Sequence, residues 1–295
     1  VNRRAFLRVS GQGLGLLCLS PLGSGCASDK SAAPSRSGGF DPGPYRVGEE
    51  HVVFDGNSSA FILDGDEHAI LDLDDSHRVE GRFASLGDGA GELNHPVAAT
   101  VHGDRLLVLD RGNGRVQIFD HAGNLQGVIG DDLHLPRGLA AHGDRVYVCD
   151  TMRHTVRVFR LDGAELASIG SGDQGEGLNA PVGVAVDARG DLHVLDSGNA
   201  RVQVFSSDGQ ALRSYGGYGH GDGQMQFPGS LVIAPDGRIF ISDVSAGFVH
   251  VFRQDGAFLG RFQPVDERGE RVAPVRVQLQ HDGGLYIWTD GHRAT

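Results

Sequence analysis

From about residue 50 onward the chain is a succession of short apolar runs separated by turns of Gly and Asp. Within a run such as Arg201-Val202-Gln203-Val204-Phe205, apolar and polar positions alternate, which sets Val202 and Val204 on one face of a strand. The pairs Gly103-Asp104, Gly143-Asp144, Gly190-Asp191, Asp236-Gly237 and Gly283-Gly284 interrupt the runs where a tight hairpin needs positive φ. No apolar stretch approaches the roughly 18 residues that a membrane-spanning helix requires. The pattern predicts many short antiparallel strands and almost no helix.

The runs recur in register. Pro181 to Tyr215 reads PVGVAVDARGDLHVLDSGNARVQVFSSDGQALRSY, and Pro136 to Ile169 repeats it as PRGLAAHGDRVYVCDTMRHTVRVFRLDGAELASI. Further copies open at Pro96, Pro228 and Pro274, and a more divergent one near Glu50. The aspartate after the second strand marks each copy: Asp64, Asp110, Asp150, Asp196, Asp243 and Asp290, spaced 46, 40, 46, 47 and 47 residues apart. That period suits a four-stranded propeller blade. The third strand carries a recurring Phe119, Phe159, Phe205 and Phe252, which predicts packing between neighbouring blades. Six copies predict six blades around a channel. The last copy has chain for two strands only, so either residues 40–49 add an outer strand there or that blade stays incomplete.

Pro181-Val182-Gly183-Val184-Ala185-Val186-Asp187, followed by Asp196-Ser197-Gly198-Asn199-Ala200-Arg201-Val202, resembles the NHL repeat, as does the linker from Gly216 to Pro228. The likeness covers roughly residues 50–290 and is weakest in the first and last copies. It implies an all-β fold, a six-bladed β-propeller of NHL type with its first and last repeats degenerate or incomplete. It fixes no activity, because one fold hosts many. NHL-type propellers that are enzymes, such as the peptidylglycine amidating lyases, resemble one another in a His directly after the Pro that opens the innermost strand. Those histidines converge on the channel and bind a metal. The corresponding positions here are His51, Val97, Arg137, Val182, Gly229 and Val275. One His falls short of the three protein ligands of a catalytic zinc, so no metal or other cofactor is predicted. The next positions inward, Val53, Ala99, Leu139, Val184, Leu231 and Val277, are all apolar, unlike a channel that holds a general acid and base.

Ahead of the repeats, Asn2-Arg3-Arg4-Ala5-Phe6-Leu7-Arg8 and the weakly apolar stretch from Val9 to Leu22 resemble a twin-arginine export signal. Leu22-Gly23-Ser24-Gly25-Cys26 is similar to a lipoprotein cleavage box with Gly23 in place of a larger aliphatic residue, which makes Cys26 the candidate lipidation site. Residues 27–44, rich in Ser, Ala, Gly and Pro, read as a flexible tether. The expected organisation is a signal over 1–26, a tether over 27–44 and a propeller over 45–295. Such a protein is exported to the periplasm, free or held at the membrane by acyl chains.

Charge narrows the partners. The formal net charge is −12, and losing residues 1–26 would remove three arginines and no acid, taking it to −15. An acidic surface disfavours nucleic-acid backbones. Beyond Cys26 only Cys149 remains, so no intramolecular disulfide staples the fold. His51 and Arg137 are predicted at one channel mouth as an anion-recognising pair, since a guanidinium holds a carboxylate through two hydrogen bonds. The loops after the second strand add Arg111, Arg153 and His154 as candidate contacts. The recurring Asp and Asn of those loops are expected to cap their own turns, and Arg115 and Arg201 to reach a neighbouring blade. The acidic residues Asp64, Asp66, Glu67, Asp72, Asp74 and Asp75 fall on two faces of a strand pair, which makes a solvated edge rather than a calcium site. A rigid ring with variable loops and no assembled catalytic set predicts a non-catalytic, monomeric scaffold for a protein or peptide of the cell envelope. The alternative is a metal-dependent lactonase- or lyase-like enzyme with its metal in the channel.

Overall fold

A computed structural model describes residues 45–48, 51–54, 60–74, 78–170, 177–266, 268–280 and 284–289. The export signal, Cys26, the tether before residue 45, Asp75, Gly283 and Asp290 lie outside the described residues. The first strand is β1 (Tyr45–Gly48). Blade 1 then holds β2 (Val52–Phe54), β3 (Ala60–Asp64), β4 (Ala69–Leu73) and β5 (Val79–Phe83), and blade 2 holds β6 (Pro96–His102), β7 (Arg105–Asp110), β8 (Arg115–Asp120) and β9 (Leu125–Ile129). Blade 3 comprises β10 (Gly138–His142), β11 (Arg145–Asp150), β12 (Thr155–Arg160) and β13 (Glu165–Ile169). Blade 4 comprises β14 (Pro181–Val186), β15 (Leu192–Asp196), β16 (Arg201–Phe205) and β17 (Ala211–Gly216). Blade 5 comprises β18 (Pro228–Ile233), β19 (Arg238–Asp243), β20 (Phe248–Arg253) and β21 (Phe258–Phe262). Each is an antiparallel four-stranded meander, and together they make an all-β propeller. The divergent first repeat thus forms a complete blade.

The remaining sector is a three-stranded sheet of β22 (Arg276–Leu279), β23 (Leu285–Trp288) and β1. β22 and β23 pair antiparallel, whereas β1 lies parallel to β23 with Tyr45 opposite Leu285 and Gly48 opposite Trp288. The chain therefore closes its own ring, because an early strand covers an edge of β23 that would otherwise leave its N–H and C=O groups unpaired.

The core lies between sheets rather than within one. Each pair of sequential blades shares an apolar layer, and Val52, Ala60 and Leu73 of blade 1 pack with Tyr286 of β23 to complete the circuit. The recurring phenylalanines occupy these layers: Phe119 of blade 2 meets Phe83 of blade 1 at 5.5 Å between ring centroids. Burying each such ring contributes about 1.5–3 kcal/mol. Cys149 is a buried free thiol in the same kind of layer, and burial pushes its pKa far above the ordinary thiol value.

The register aspartates do more than cap their own turns. Buried Asp110 accepts the Asn94 amide at 2.7 Å, from the linker that enters its blade, and its other oxygen is held by Asn113, Arg115 and Gln117. Asp196 repeats this with the Asn179 amide, Asn199, Arg201 and Gln203. Arg115 continues to the carbonyls of Asp88, Gly89 and Glu92. Arg115 and Arg201 thus fasten the linker that runs from the preceding blade into their own. In the last sheet this column holds Thr289, 2% exposed, since Arg276 pairs with Trp288 as Gly183 pairs with Leu195. The acidic residues near blade 1 are a solvated edge, as expected: Asp64 caps the amides of Asp66 and Glu67, and Asp74 pairs with Arg78 at 2.8 Å.

In every blade the innermost strand begins, and the second strand ends, at one end of the barrel. The blade-to-blade linkers and the loops after the second strand therefore share a loop face. The two sets of hairpin turns share the opposite face.

Candidate functional site

The first turn of each innermost strand decides what lines the channel mouth. In blades 2 to 5 a β-bulge or an extra amide bond follows the Pro, so that Val97, Arg137, Val182 and Gly229 are extra residues at the start of the pairing. The Arg137 amide, for example, bonds the Cys149 carbonyl at 3.2 Å while Gly138 pairs with the same residue. A bulged residue is turned out of the pleat. Val275 stands at this position in the last sheet, where its amide bonds the Trp288 carbonyl at 2.9 Å.

The following position is normally small: Ala98, Gly138, Gly183 and Ser230. The reason is steric. A Cβ on Gly138 would lie 2.9 Å from the Gly183 Cα and 2.7 Å from the Cys149 Sγ. At the seam of the ring the same position is Arg276 in β22 and His51 ahead of β2. The pairing places His51 here because the Leu63 amide bonds its carbonyl at 2.9 Å, continuing the Val52–Ile62 register. His51 is therefore one place beyond Arg137 in register, not level with it. The first repeat has no Pro to count from, and only the strand pairing fixes the position. For the same reason Val52, not Val53, belongs with Ala99 and Leu139 in the next apolar layer.

His51 stacks on Trp288 with ring centroids 5.8 Å apart and an interplanar angle of 21°. Its pKa is held well below the ordinary histidine value, first by burial and then by the Arg276 guanidinium. Arg276 is itself pulled down to about 10, by burial and then by Arg137. Arg111, the first residue after the buried Asp110, is lowered by burial and by Arg137 as well. Arg137 and Arg276 come from blade 3 and from the three-stranded sheet, which are opposite sectors of the ring. The charge of Arg137 nevertheless reaches Arg276.

None of Arg111, Arg137 and Arg276 makes an ion pair among the described residues, although the chain has 38 acidic residues against 26 basic ones. The column of Arg111 shows what is unusual about it. Its counterparts Thr151 and Ser197 each donate a hydroxyl to the carbonyl of the next blade's Pro at 2.8 Å, a neutral latch between blades. In blade 2 that latch is replaced by a cation.

Arg153 and His154 use their polar atoms within the ring. Arg153 pairs with Asp132 at 3.0 Å and with Asp150 at 3.4 Å. His154 is left-handed, with φ 57°, and its Nδ1 accepts the Ala180 amide at 2.9 Å. His68 repeats the arrangement in blade 1, with φ 54° and the His95 amide at 2.8 Å. Sequence reasoning missed Arg276 and Trp288; the signal for Arg276 is a large residue in a column that is small in blades 2 to 5.

The loop face is apolar around this cluster. Leu86, Leu135, Met152, Tyr218, Phe227 and Val244 are exposed there, Tyr218 by 74% and Phe227 by 68%. The other large exposed apolar residues, Val79, Val128, Leu166, Leu212 and Leu259, fall one to each outermost strand around the rim. The hairpin face has none among the described residues. Two shallow clefts, of about 420 and 310 Å³, lie on that side. No three His, Cys, Asp or Glu side chains among the described residues gather as metal ligands would.

Residues 178–205 match the NHL repeat. They contain β14, β15 and β16, with the NHL loop Asp196 to Arg201 whose hydrogen bonds are described above. Several relatives are similar over parts of the chain. Protein brain tumor of Drosophila melanogaster is 32% identical over 84 residues, which are 28% of this chain and 8% of that protein. The mouse E3 ubiquitin-protein ligase TRIM32 is 24% identical over 208 residues, 70% of this chain and 26% of that protein. The chain thus spans about a quarter or less of the length of these relatives. Among solved structures, a streptogramin B lyase superposes with a TM-score of 0.63 at 9% identity, over 82% of this chain and 90% of that one. A nidogen/laminin complex gives 0.59 at 18% identity, over 81% and 84%. At these identities the likeness is one of fold.

Proposed function

We propose that this chain is an exported, non-catalytic NHL-type propeller of six sectors, the three-stranded sheet serving as the sixth blade, that binds a protein or peptide of the cell envelope on its loop face. The observation that carries this reading is the sorting of exposed apolar side chains. Six lie in the loops and linkers of the loop face, whereas the rim carries one per blade and the hairpin face none among the described residues. Exposed apolar side chains concentrated on one face mark an interaction site. Export rests on Arg3, Arg4 and the apolar stretch after them, with Cys26 as the acylation site. The relation to streptogramin B lyase is a shared fold and brings no reacting residues with it.

The test is site-specific photocrosslinking in exporting cells. A photoreactive residue at Leu135, Met152 or Phe227 is expected to give one discrete envelope adduct, and the same residue at Val128 or Leu166 none. Equal adducts from both sets, or none from the loop face, would overturn the reading.

A further inference from the structure

We propose that the channel mouth is a carboxylate-binding site, built by Arg111, Arg137 and Arg276, that takes an acidic peptide segment with apolar flanks. This deepens the loop-face reading above and rests on it. Arg137 and Arg276 stand at the start of the innermost strands of blade 3 and the closing sheet, and Arg111 stands in the column whose counterparts bond the next blade's Pro, with no carboxylate paired to any of them among the described residues. Other arginines on the loop side do meet acids: Arg115 pairs with Asp110 at 2.9 Å, Arg201 with Asp196 at 2.9 Å and Arg153 with Asp132 at 3.0 Å. Arginines without an ion pair among the described residues of an acidic chain are complementary to an anion from outside.

The geometry favours a peptide over a small ion. Cations on opposite walls of the ring call for more than one negative group, and a segment with two or more carboxylates supplies them. Arginine suits this role because its planar fork gives each carboxylate two parallel hydrogen bonds. The apolar residues around the mouth, Leu135, Met152 and Phe227 among them, provide contact for the flanks of such a segment. Trp288 stacks on His51 beside Arg276 and packs against the layer between the closing sheet and blade 1.

Unpaired like charges destabilise the empty protein, so the site has a signature that a structural arginine lacks. Arg137 is exposed and makes no ion pair among the described residues, so Arg137→Gln relieves repulsion without breaking a contact. The probe is a fluorescein-labelled synthetic peptide in which Glu residues alternate with Leu and Phe, read by anisotropy against the purified full chain. A control peptide has Gln in place of every Glu.

The Glu peptide is expected to bind, more weakly as salt rises, and the Gln peptide to bind about tenfold or more weakly. Arg137→Gln is expected to cost about tenfold in affinity while leaving Tm unchanged or raising it. Arg276→Lys, which keeps the charge and loses the fork, is expected to weaken binding as well. Equal binding of the two peptides, or an Arg137→Gln variant that binds normally, overturns the proposal even if loop-face crosslinks are found. A lowered Tm for Arg137→Gln overturns it too, as does inorganic phosphate protecting the chain as well as the Glu peptide at equal concentration.

Discussion

His51 shows how much a single register position decides. Its surroundings disfavour the imidazolium, first through burial and then through Arg276. In the unfolded chain the ring takes up a proton as pH falls below about 6.5, while in the folded protein it stays neutral well below that. Protonation therefore favours the unfolded state. The stability at stake is fully present above about pH 6.5 and is lost as pH falls from there towards the depressed folded value. His51→Gln is expected to show a smaller drop in Tm than the parent between about pH 7 and pH 5; an equal drop would mean that His51 titrates as an ordinary histidine. His193, buried beside Asp187 and Tyr215, shifts the same way, so the drop is reduced and not abolished. At this scale the sequence reveals Arg137 and Arg111 directly, because the first follows a repeating Pro and the second a repeating Asp. Arg276 is hidden. It stands one place past the motif position, in a column whose small size has a reason only once Gly138 is seen against Gly183. The meeting of Arg137 with Arg276 depends on channel width, which no local pattern encodes.

Strands are legible where the sequence repeats and obscure where it does not. Blades 2 to 5 announce themselves through Pro, Gly turns, Asp and Phe, since each repeat solves the same packing problem against its neighbour. The divergent first repeat is still recognisable, because its second and third strands keep the Asp64 register. The closing strand is different. β1 has only four residues, too short a run for its alternation to advertise a buried face, and a parallel partner more than 200 residues away, so the sequence leaves it as one of two options. Its importance comes from topology, because it covers the edge of β23. A chain starting after Gly48 is expected to melt roughly 5–10 °C below one starting at Tyr45, from the loss of a few strand hydrogen bonds at about 1 kcal/mol each. Equal melting temperatures would show that the seam is held by side-chain packing alone.

Across the whole molecule, charge and shape point the same way. The chain carries a net charge of −12, yet the mouth of its channel holds arginines with no ion pair among the described residues. An anionic segment is repelled by the body and drawn to one spot, which favours a single docking pose over many.

The parallel pairing of β1 with β23 also decides how the molecule can be held. β23 runs towards the loop face, so β1 does too, and the chain comes to Tyr45 from the hairpin side. The last strand, by contrast, ends at Trp288 beside the mouth. A protein fixed to a sensor surface through its N-terminus turns its mouth to the solution, and one fixed by a short C-terminal link turns it to the support. Capture of the Glu peptide is expected to survive the first arrangement and to fall in the second; equal capture would mean that the peptide does not use the mouth. A lipid at Cys26 would act as the first kind of support. The ring would then hang with its blunt side to the bilayer and its receptive side away from it.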